Sequence, residues 1–287
     1  MSIDDGADVP IDWEHGRETN LTNWEERVPI HEAAYGIDRF RDDPGYVSSV
    51  VRADLAALAP YLPDGAVSGL DVCHLQCHIG TDTVSLARAG ARVVGVDFSP
   101  SALASAARLA GDLGVDATWV RTDVLEARAA VEGDFDLVYT SIGTICWLDD
   151  LDRWAAQIAA LLRPGGTFYI RDAHPVLLTL DPDASELVQR QRYFPNGLAQ
   201  QWHGEYTYTG DTKLIATRTY EWPHPISEVV NALLGAGLQL LRLDEDWRLP
   251  WKFSSRMVEV GEGEWAWPPE QRELSPATFT VIARRPA

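Results

Sequence analysis

The stretch Leu70–Gly90, LDVCHLQCHIGTDTVSLARAG, decides how the chain is read. Leu70–Leu75 is an apolar run interrupted only by Asp71 and His74, short enough to be a buried strand. Thr81 or Asp82 can cap a helix that follows, and Gly90 can end it. A strand running into a helix is the junction where α/β proteins hold nucleotides, and a glycine-rich loop is expected there. This loop instead offers Gln76, Cys77, His78 and Ile79 before Gly80. Either it is not a nucleotide site, or it does with side chains what other loops do with glycines.

Outward from this stretch, strands and helices alternate. Ala91–Asp97 (ARVVGVD) is a second strand ending on an acid. SPSALASAARLAGDLG carries helix punctuation: Ser99 as N-cap, Pro100 at the first helical position and Gly114 past the end. Its apolar stripe is Leu103, Ala106, Ala110 and Leu113. ATWVRTD is a third strand closed by Asp123, and Phe135–Ser141 a fourth. A helix is expected from about Leu148, stopped by RPGG, before a fifth strand at Thr167–Asp172. Such regular alternation predicts a mostly parallel sheet.

The pattern then changes. EYTYTGDTKLIATRTYEW reads as an antiparallel hairpin turning at Gly210–Asp211, an insertion rather than a crossover. SEVVNALLGAG is a helix, LQLLRLDED a strand and TFTVIARR a closing strand, with Trp247, Trp251, Trp265 and Trp267 in between. Ahead of Leu70 lies a polar leader. It runs into an amphipathic helix bearing Val47, Val50, Val51, Asp54, Leu55 and Leu58, which PDGAVSG breaks.

A chain of 287 residues suits one α/β domain with an elaboration, or two small domains. The net charge of −19 argues against nucleic acid, because phosphate binding needs a positive face. The acidity fits a solvated surface, or attraction of a cationic or zwitterionic substrate. The acidic N-terminus has no apolar segment of the signal-peptide kind, and no stretch is long enough to span a bilayer. Cys73, Cys77 and Cys146 do not form a disulfide framework. A cytoplasmic protein without membrane or nucleic-acid partners is the expectation.

Four strand ends carry groups suited to a ligand: the Gln76–Gly80 loop, Asp97, Asp123 and Ser141-Ile142-Gly143. Asp97 stands 17 residues after Gly80, where a carboxylate can take both ribose hydroxyls of an adenosine. Asp123 can accept from an adenine amine while Val124 packs on the ring. CHLQCH could suggest zinc, but Cys73 and His74 are adjacent in a strand and point to opposite faces, so no metal is expected. Cys77 as a nucleophile has no partner that spacing assigns. The missing GxGxxG weakens an NAD-dependent oxidoreductase without removing it.

The segments HLQCHIGTDTVSLARAGARVVGVDFSPSAL, FDLVYTSIGTICWL and LLRPGGTFYIRDAHP resemble the class I S-adenosylmethionine-dependent methyltransferases. More narrowly, they look like a bacterial branch with LQC-H-x-G-x-D-T in place of D-x-G-x-G-x-G. NWEERVPIHEAAYGIDRF and YEWPHPISEVVNALLGAGL are similar to that branch too. The resemblance implies a Rossmann-like, doubly wound, mostly parallel seven-stranded sheet whose last strand is antiparallel, with a hairpin insertion after the fifth strand. It implies a helical leader or cap over 1–69 and a cofactor-binding domain over 70–287, its substrate-covering insertion at about 174–224.

The implied cofactor is S-adenosylmethionine, leaving as S-adenosylhomocysteine, held by Gln76, Cys77, Gly80, Thr81, Asp97, Phe98, Ser99, Asp123, Val124 and Ser141. This chain departs from the wider class at three places. His74 stands where most members have an acid, and Gln76 and His78 replace glycines. The loop is therefore expected to cradle the methionine part with the Gln76 side chain and backbone N–H groups, and only Gly80 keeps a glycine's role.

His174, in RDAHP, is a candidate base or substrate contact, or a structural histidine bracing its segment with Pro175. His31 in the leader is a second candidate. Trp24 and Tyr35 cover the cofactor or simply pack. The Trp147 loop, the 193–222 segment and the late Trp cluster are expected to wall a substrate cavity, with Trp147 and Trp24 as contacts. The expected activity is methyl transfer to the O, N or C atom of a small-molecule substrate. A non-catalytic S-adenosylmethionine-binding module and an NAD-type oxidoreductase are the other readings.

Overall fold

The computed structural model describes residues 6–209 and 211–287. The chain begins with a short strand, β1 (Ala7–Val9), and three helices, α1 (Trp13–Ala34), α2 (Ile37–Asp42) and α3 (Ser49–Leu58). Alternation follows: β2 (Asp71–Leu75), α4 (Thr81–Arg88), β3 (Arg92–Asp97), α5 (Pro100–Leu113) and β4 (Thr118–Arg121). Next come α6 (Ala127–Ala130), β5 (Phe135–Thr140), α7 (Leu151–Leu161), β6 (Leu162–Ala173) and α8 (Pro175–Thr179). The last part holds β7 (Ala199–His203), β8 (Arg218–Glu221), α9 (Ile226–Gly235), β9 (Gln239–Asp246), β10 (Val258–Gly261), β11 (Glu264–Ala266) and β12 (Thr278–Arg284).

The central sheet has the order β4-β3-β2-β5-β6-β12-β9. Its strands run parallel except β12, which is antiparallel to both neighbours. The expected seven-stranded, doubly wound sheet with a reversed last strand is therefore the fold observed. Strand order reverses beside β2, with β3 and β4 to one side and β5 and β6 to the other. The carboxyl end of β2 is thus the topological switch point, where open α/β sheets bind ligands.

Both faces of the sheet are apolar and both are covered, as a parallel sheet requires. Val138, Phe168, Ile170 and Val281 pack under α7 and α9 through Trp154, Ile158, Val229 and Leu233. Val72, Leu137, Tyr139 and Tyr169 pack under α3 and α4 through Val51, Leu58 and Leu86. Asp54, on the apolar stripe of α3, is buried there and accepts hydrogen bonds from the hydroxyls of Tyr139 and Tyr169 and from Arg171. That polar cluster pins α3 to the middle of the sheet.

Several boundaries differ from the sequence reading, each for a physical reason. Gly80, in a left-handed conformation, caps α4 in place of Thr81 or Asp82, because the Asp82 carboxylate accepts from Ser48 at 2.8 Å. β4 stops at Arg121, and Asp123 caps the turn beyond it by accepting the Leu125 N–H at 2.9 Å. α7 starts at Leu151 because Asp150 caps it, leaving Leu148 buried ahead of the helix. RPGG lies within β6 rather than between helix and strand.

The hairpin exists, but its first arm is β7, not Glu205–Thr209. Gln200 pairs with Glu221 and His203 with Arg218, and β1 adds a third strand on the far edge of β7. The chain leaves this small sheet at Gly204, and Thr207 and Tyr208 turn to contact α1 instead. Gly210, half of the expected turn, lies outside the described residues. β10 and β11 form a second, unforeseen hairpin in the Trp-rich stretch. Among the described residues no helix is long and apolar enough to cross a membrane.

Two glycines fix the loop after β2 against the sheet. A Cβ on Gly80 would lie 2.6 Å from the Ala106 Cβ and from the Trp119 ring. One on Gly95, which pairs directly with Trp119, would lie 2.5 Å from that ring. Gly95→Ala is expected to destabilise the fold by about 1–3 kcal/mol through overpacking. Adding Trp119→Ala, measured by urea unfolding of both singles and the double, should remove most of that penalty.

Candidate functional site

Four parallel strands, β4, β3, β2 and β5, end on the same edge of the sheet, and their loops meet there. The loop after β2 turns left-handed at Gln76 (φ 55°), His78 (φ 49°) and Gly80 (φ 76°). Only one of the three is glycine, so the backbone path of a glycine-rich loop persists without the glycines. Each non-glycine residue held this way costs about 1–2 kcal/mol. The cost is offset where the chain is pinned. The His78 N–H donates to Asp97 Oδ2 at 2.8 Å, and the Gln76 amide donates to the Thr144 carbonyl at 3.1 Å. The Cys77 N–H donates to the Val96 carbonyl at 2.9 Å.

Asp97 ends β3, buried, with Oδ1 accepting the Ser99 N–H at 2.9 Å. Burial pushes its pKa up to about 6, against the backbone N–H groups of Ser99, His78 and Phe98 that favour its charge. Gln76 Oε1 is buried with no hydrogen-bond partner among the described residues. An unpaired buried acceptor and a buried carboxylate, both attached to the loop after β2, suit a polar ligand that donates to each.

His74, in the middle of β2, bonds Thr83 Oγ1 at 2.8 Å and Ser141 Oγ at 3.1 Å. Burial lowers its pKa to about 3, so it is a neutral connector between α4 and the loop after β5. That loop is itself organised by Asp172 in β6. The buried carboxylate accepts from the N–H groups of Gly143 (2.6 Å), Thr144 (3.0 Å), Ile145 (3.1 Å) and Ala173 (2.6 Å), and from the Thr144 hydroxyl.

α1 lies across these strand ends. Glu25 accepts from Ser99 and Ser101 at the start of α5, and Arg17 stands 3.7 Å from Asp123. Trp24, Arg27, His31 and Tyr35 share one helical face, at spacings of three and four. Trp24 meets His78 (5.2 Å), Trp147 (5.4 Å) and His31 (5.9 Å) edge-on. His31 bonds His78 through Nδ1 and Thr207 through Nε2, both at 2.8 Å. Burial, with His78 and Arg27 nearby, lowers the His31 pKa to about 2, and His78 falls to about 3. Both rings are neutral. The Arg27 guanidinium sits over Trp24 at 4.8 Å and over Trp147 at 5.7 Å.

The structure thus brings Gln76, His78, Asp97, Ser99, Ser141, Trp24, His31 and Trp147 into one cluster. Asp123 joins it through Arg17. Phe98 is half-buried between Asp97 and Ser99, and Thr81 is buried in the first turn of α4. Cys77 packs its sulfur toward Gly95, and Val124 belongs to the core under α7. His174 stands apart from the cluster: its Nε2 bonds Glu245 at 2.7 Å, and its Nδ1 accepts the Val176 N–H at 3.1 Å. A cavity of about 240 Å³ borders the cluster, lined by Cys146, Tyr193, Trp202, Trp222, Glu221 and Phe253 among others. Neither Trp147 nor any of the four late tryptophans lines it. Sequence reasoning missed Arg27, Asp172 and Glu221. The helical spacing of Arg27 from Trp24 and His31 was the available signal for the first.

Residues 73–168 match the family profile described as a methyltransferase domain. An uncharacterized methyltransferase of Synechocystis is 38% identical over 108 residues, 37% of this chain and 48% of that protein. The chain thus spans about half the length of this curated relative. An S-adenosylmethionine-dependent methyltransferase of Mesorhizobium loti is 21% identical, with 82% of this chain and all of that one aligned at a TM-score of 0.55. The 1,6-didemethyltoxoflavin-N1-methyltransferase of Burkholderia thailandensis is 18% identical and aligns with 98% of this chain and 94% of its own, also at 0.55. These likenesses to solved structures establish the fold.

Asp172→Ala would leave the Gly143, Thr144 and Ile145 N–H groups without their acceptor. Each orphaned buried donor costs about 1–3 kcal/mol, so a loss of about 3 kcal/mol or more is expected. Urea unfolding checks the magnitude.

Proposed function

We propose that the protein is an S-adenosylmethionine-dependent methyltransferase acting on a small molecule. The observation that carries this reading is the presence of both the buried Asp97 carboxylate and the unpartnered Gln76 Oε1 at the switch point of a sheet whose residues 73–168 match the methyltransferase domain. These residues fit the cofactor. Asp97 accepts the His78 N–H on one oxygen and the Ser99 N–H on the other, and a carboxylate's remaining acceptor capacity suits ribose hydroxyls. Gln76 Oε1 suits the methionine ammonium, Asp123 the adenine amine, and the backbone from Cys77 to Thr81 the close approach of the nucleoside.

When bound, the cofactor supplies an electrophilic methyl group on a sulfonium. The chain's task is orientation and water exclusion. His74 holds Ser141 in place, Asp172 shapes the loop beyond it, and Trp24 and Trp147 close the cover. In this reading His31 and His174 act as positioning groups, since both ring nitrogens of each already have partners. The similarity in fold to the 1,6-didemethyltoxoflavin-N1-methyltransferase supports small-molecule chemistry without naming this chain's acceptor.

Calorimetry should show micromolar-range binding of S-adenosylhomocysteine and none of NADH. Asp97→Ala is expected to weaken the former at least ~10-fold, the scale of losing charged hydrogen bonds. Unchanged affinity in the variant would sink the site assignment.

A second expectation concerns pH. Asp97 titrates near 6 in the fold but at about 3.9 in an unfolded chain. Its charge therefore costs stability at neutral pH; that cost begins to shrink as pH falls through 6 and is gone below about pH 3.9. Ligand affinity should move the opposite way, declining below about pH 6 as the carboxylate acceptor is lost. Thermal unfolding and calorimetry over the same pH range check the two signs.

A further inference from the structure

β7, β8 and α8 bound the cavity of about 240 Å³. Gln200 is directly opposite Glu221, and Trp202 opposite Thr219. Strand alternation puts Gln200, Trp202 and Glu221 on one face, and all three line the cavity. Tyr220 and Gln201 take the other face, where they bond each other at 3.4 Å.

Two donors on the cavity wall are unsatisfied. Gln200 is 6% exposed, yet its Nε2 has no partner among the described residues, and neither has Trp202 Nε1. The Glu221 carboxylate accepts no hydrogen bond among the described residues. Burial pushes its pKa up to about 7, and Arg27 is the charge that draws it down. Glu221 is half-buried; the two buried donors, Gln200 Nε2 and Trp202 Nε1, each cost about 1–3 kcal/mol in this state, which a ligand of matching polarity recovers. Much of the remaining wall is apolar, through Trp222, Leu178 and Phe253, and its charged residues Asp181, Arg190 and Arg192 are already in ion pairs. Cys146 belongs to the wall, and its carbonyl receives the Trp222 N–H at 2.8 Å. It lies two residues beyond Thr144, whose carbonyl holds Gln76. The cavity therefore abuts the loop that contacts the cofactor site.

We propose that this cavity binds the methyl acceptor, a planar heteroaromatic or phenolic molecule presenting a carbonyl beside an N–H or O–H on one edge. Gln200, helped by Trp202, donates to the carbonyl, and Glu221 accepts from the neighbouring N–H or O–H. Calling this ligand the methyl acceptor rests on the methyltransferase reading; the edge chemistry rests on the cavity alone.

The test titrates 2-quinolone, and naphthalene as a shape control lacking the edge, at about pH 8, with and without S-adenosylhomocysteine. Tryptophan fluorescence and calorimetry are the readouts, on wild type, Gln200→Leu, Glu221→Leu and the shape-preserving Glu221→Gln. Saturable 2-quinolone binding is expected, weakened ~10-fold or more in the two leucine variants and at least ~3-fold in Glu221→Gln. Naphthalene should bind the leucine variants as well as or better than wild type, and S-adenosylhomocysteine affinity should stay within ~2-fold. No saturable 2-quinolone binding, equal binding of both probes, or variants that bind 2-quinolone as wild type does would overturn the proposal. Loss of S-adenosylhomocysteine binding in wild type with quinolone discrimination intact would overturn the methyltransferase reading and leave the edge recognition standing.

Discussion

The Asp97 carboxylate receives the N–H of His78 on one oxygen and that of Ser99 on the other, and these two bonds set neighbouring strand ends in fixed relation. The loop after β2 depends on this. Its left-handed turns at Gln76 and His78 are conformations that L-residues avoid, and they persist because the surroundings over-determine them. The side chains at these two positions are then put to use. Gln76 reaches across to the loop after β5, and His78 reaches up to His31 on α1. A glycine at either place would relax the backbone and sever the bridge.

How much of this was legible in the sequence depends on the residue. The central sheet could be read because every one of its early strands is an apolar run closed by a cap or turn, from Leu70 to Asp172. Ser99, Pro100 and Gly114 framed α5 as their chemistry dictates. The small sheet could not be read. Ala-Gln-Gln-Trp-His has little strand propensity of its own and becomes β7 by pairing with β8 and β1. Glu-Tyr-Thr-Tyr-Thr has that propensity and is not a strand, because Thr207 and Tyr208 find His31 and Tyr35 on α1. Tertiary partners overrode local preference in both directions.

The candidate site shows the same division. Strand-end groups such as Asp97 and Ser141 followed from topology, since parallel strands deliver their carboxyl ends to one edge. Asp172 ends a strand too, but its role arises from folding back under a loop some 28 residues earlier, which spacing cannot show. Arg27 and Glu221 are far apart in sequence and interact only because α1 and β8 pack side by side. A chain with a net charge of −19 has thus half-buried an arginine against two indoles, where the ring faces partly replace the water it gave up.

α1 is fastened on both sides by polar groups. Asn20 bonds the Tyr220 backbone twice, Asn23 donates to the Ala216 carbonyl, and Glu26 accepts from Ile215 and Ala216. Glu25 and Arg17 hold the strand-end side. Asn20 and Asn23 are buried, and the same helix adds an apolar seam, with Val28 against Ile79 and Ala102, and Trp13 against Trp222. Lifting it would strand buried polar groups and expose apolar area together. One helix thus welds the strand-end loops to the small sheet, and neither can shift without dragging the other.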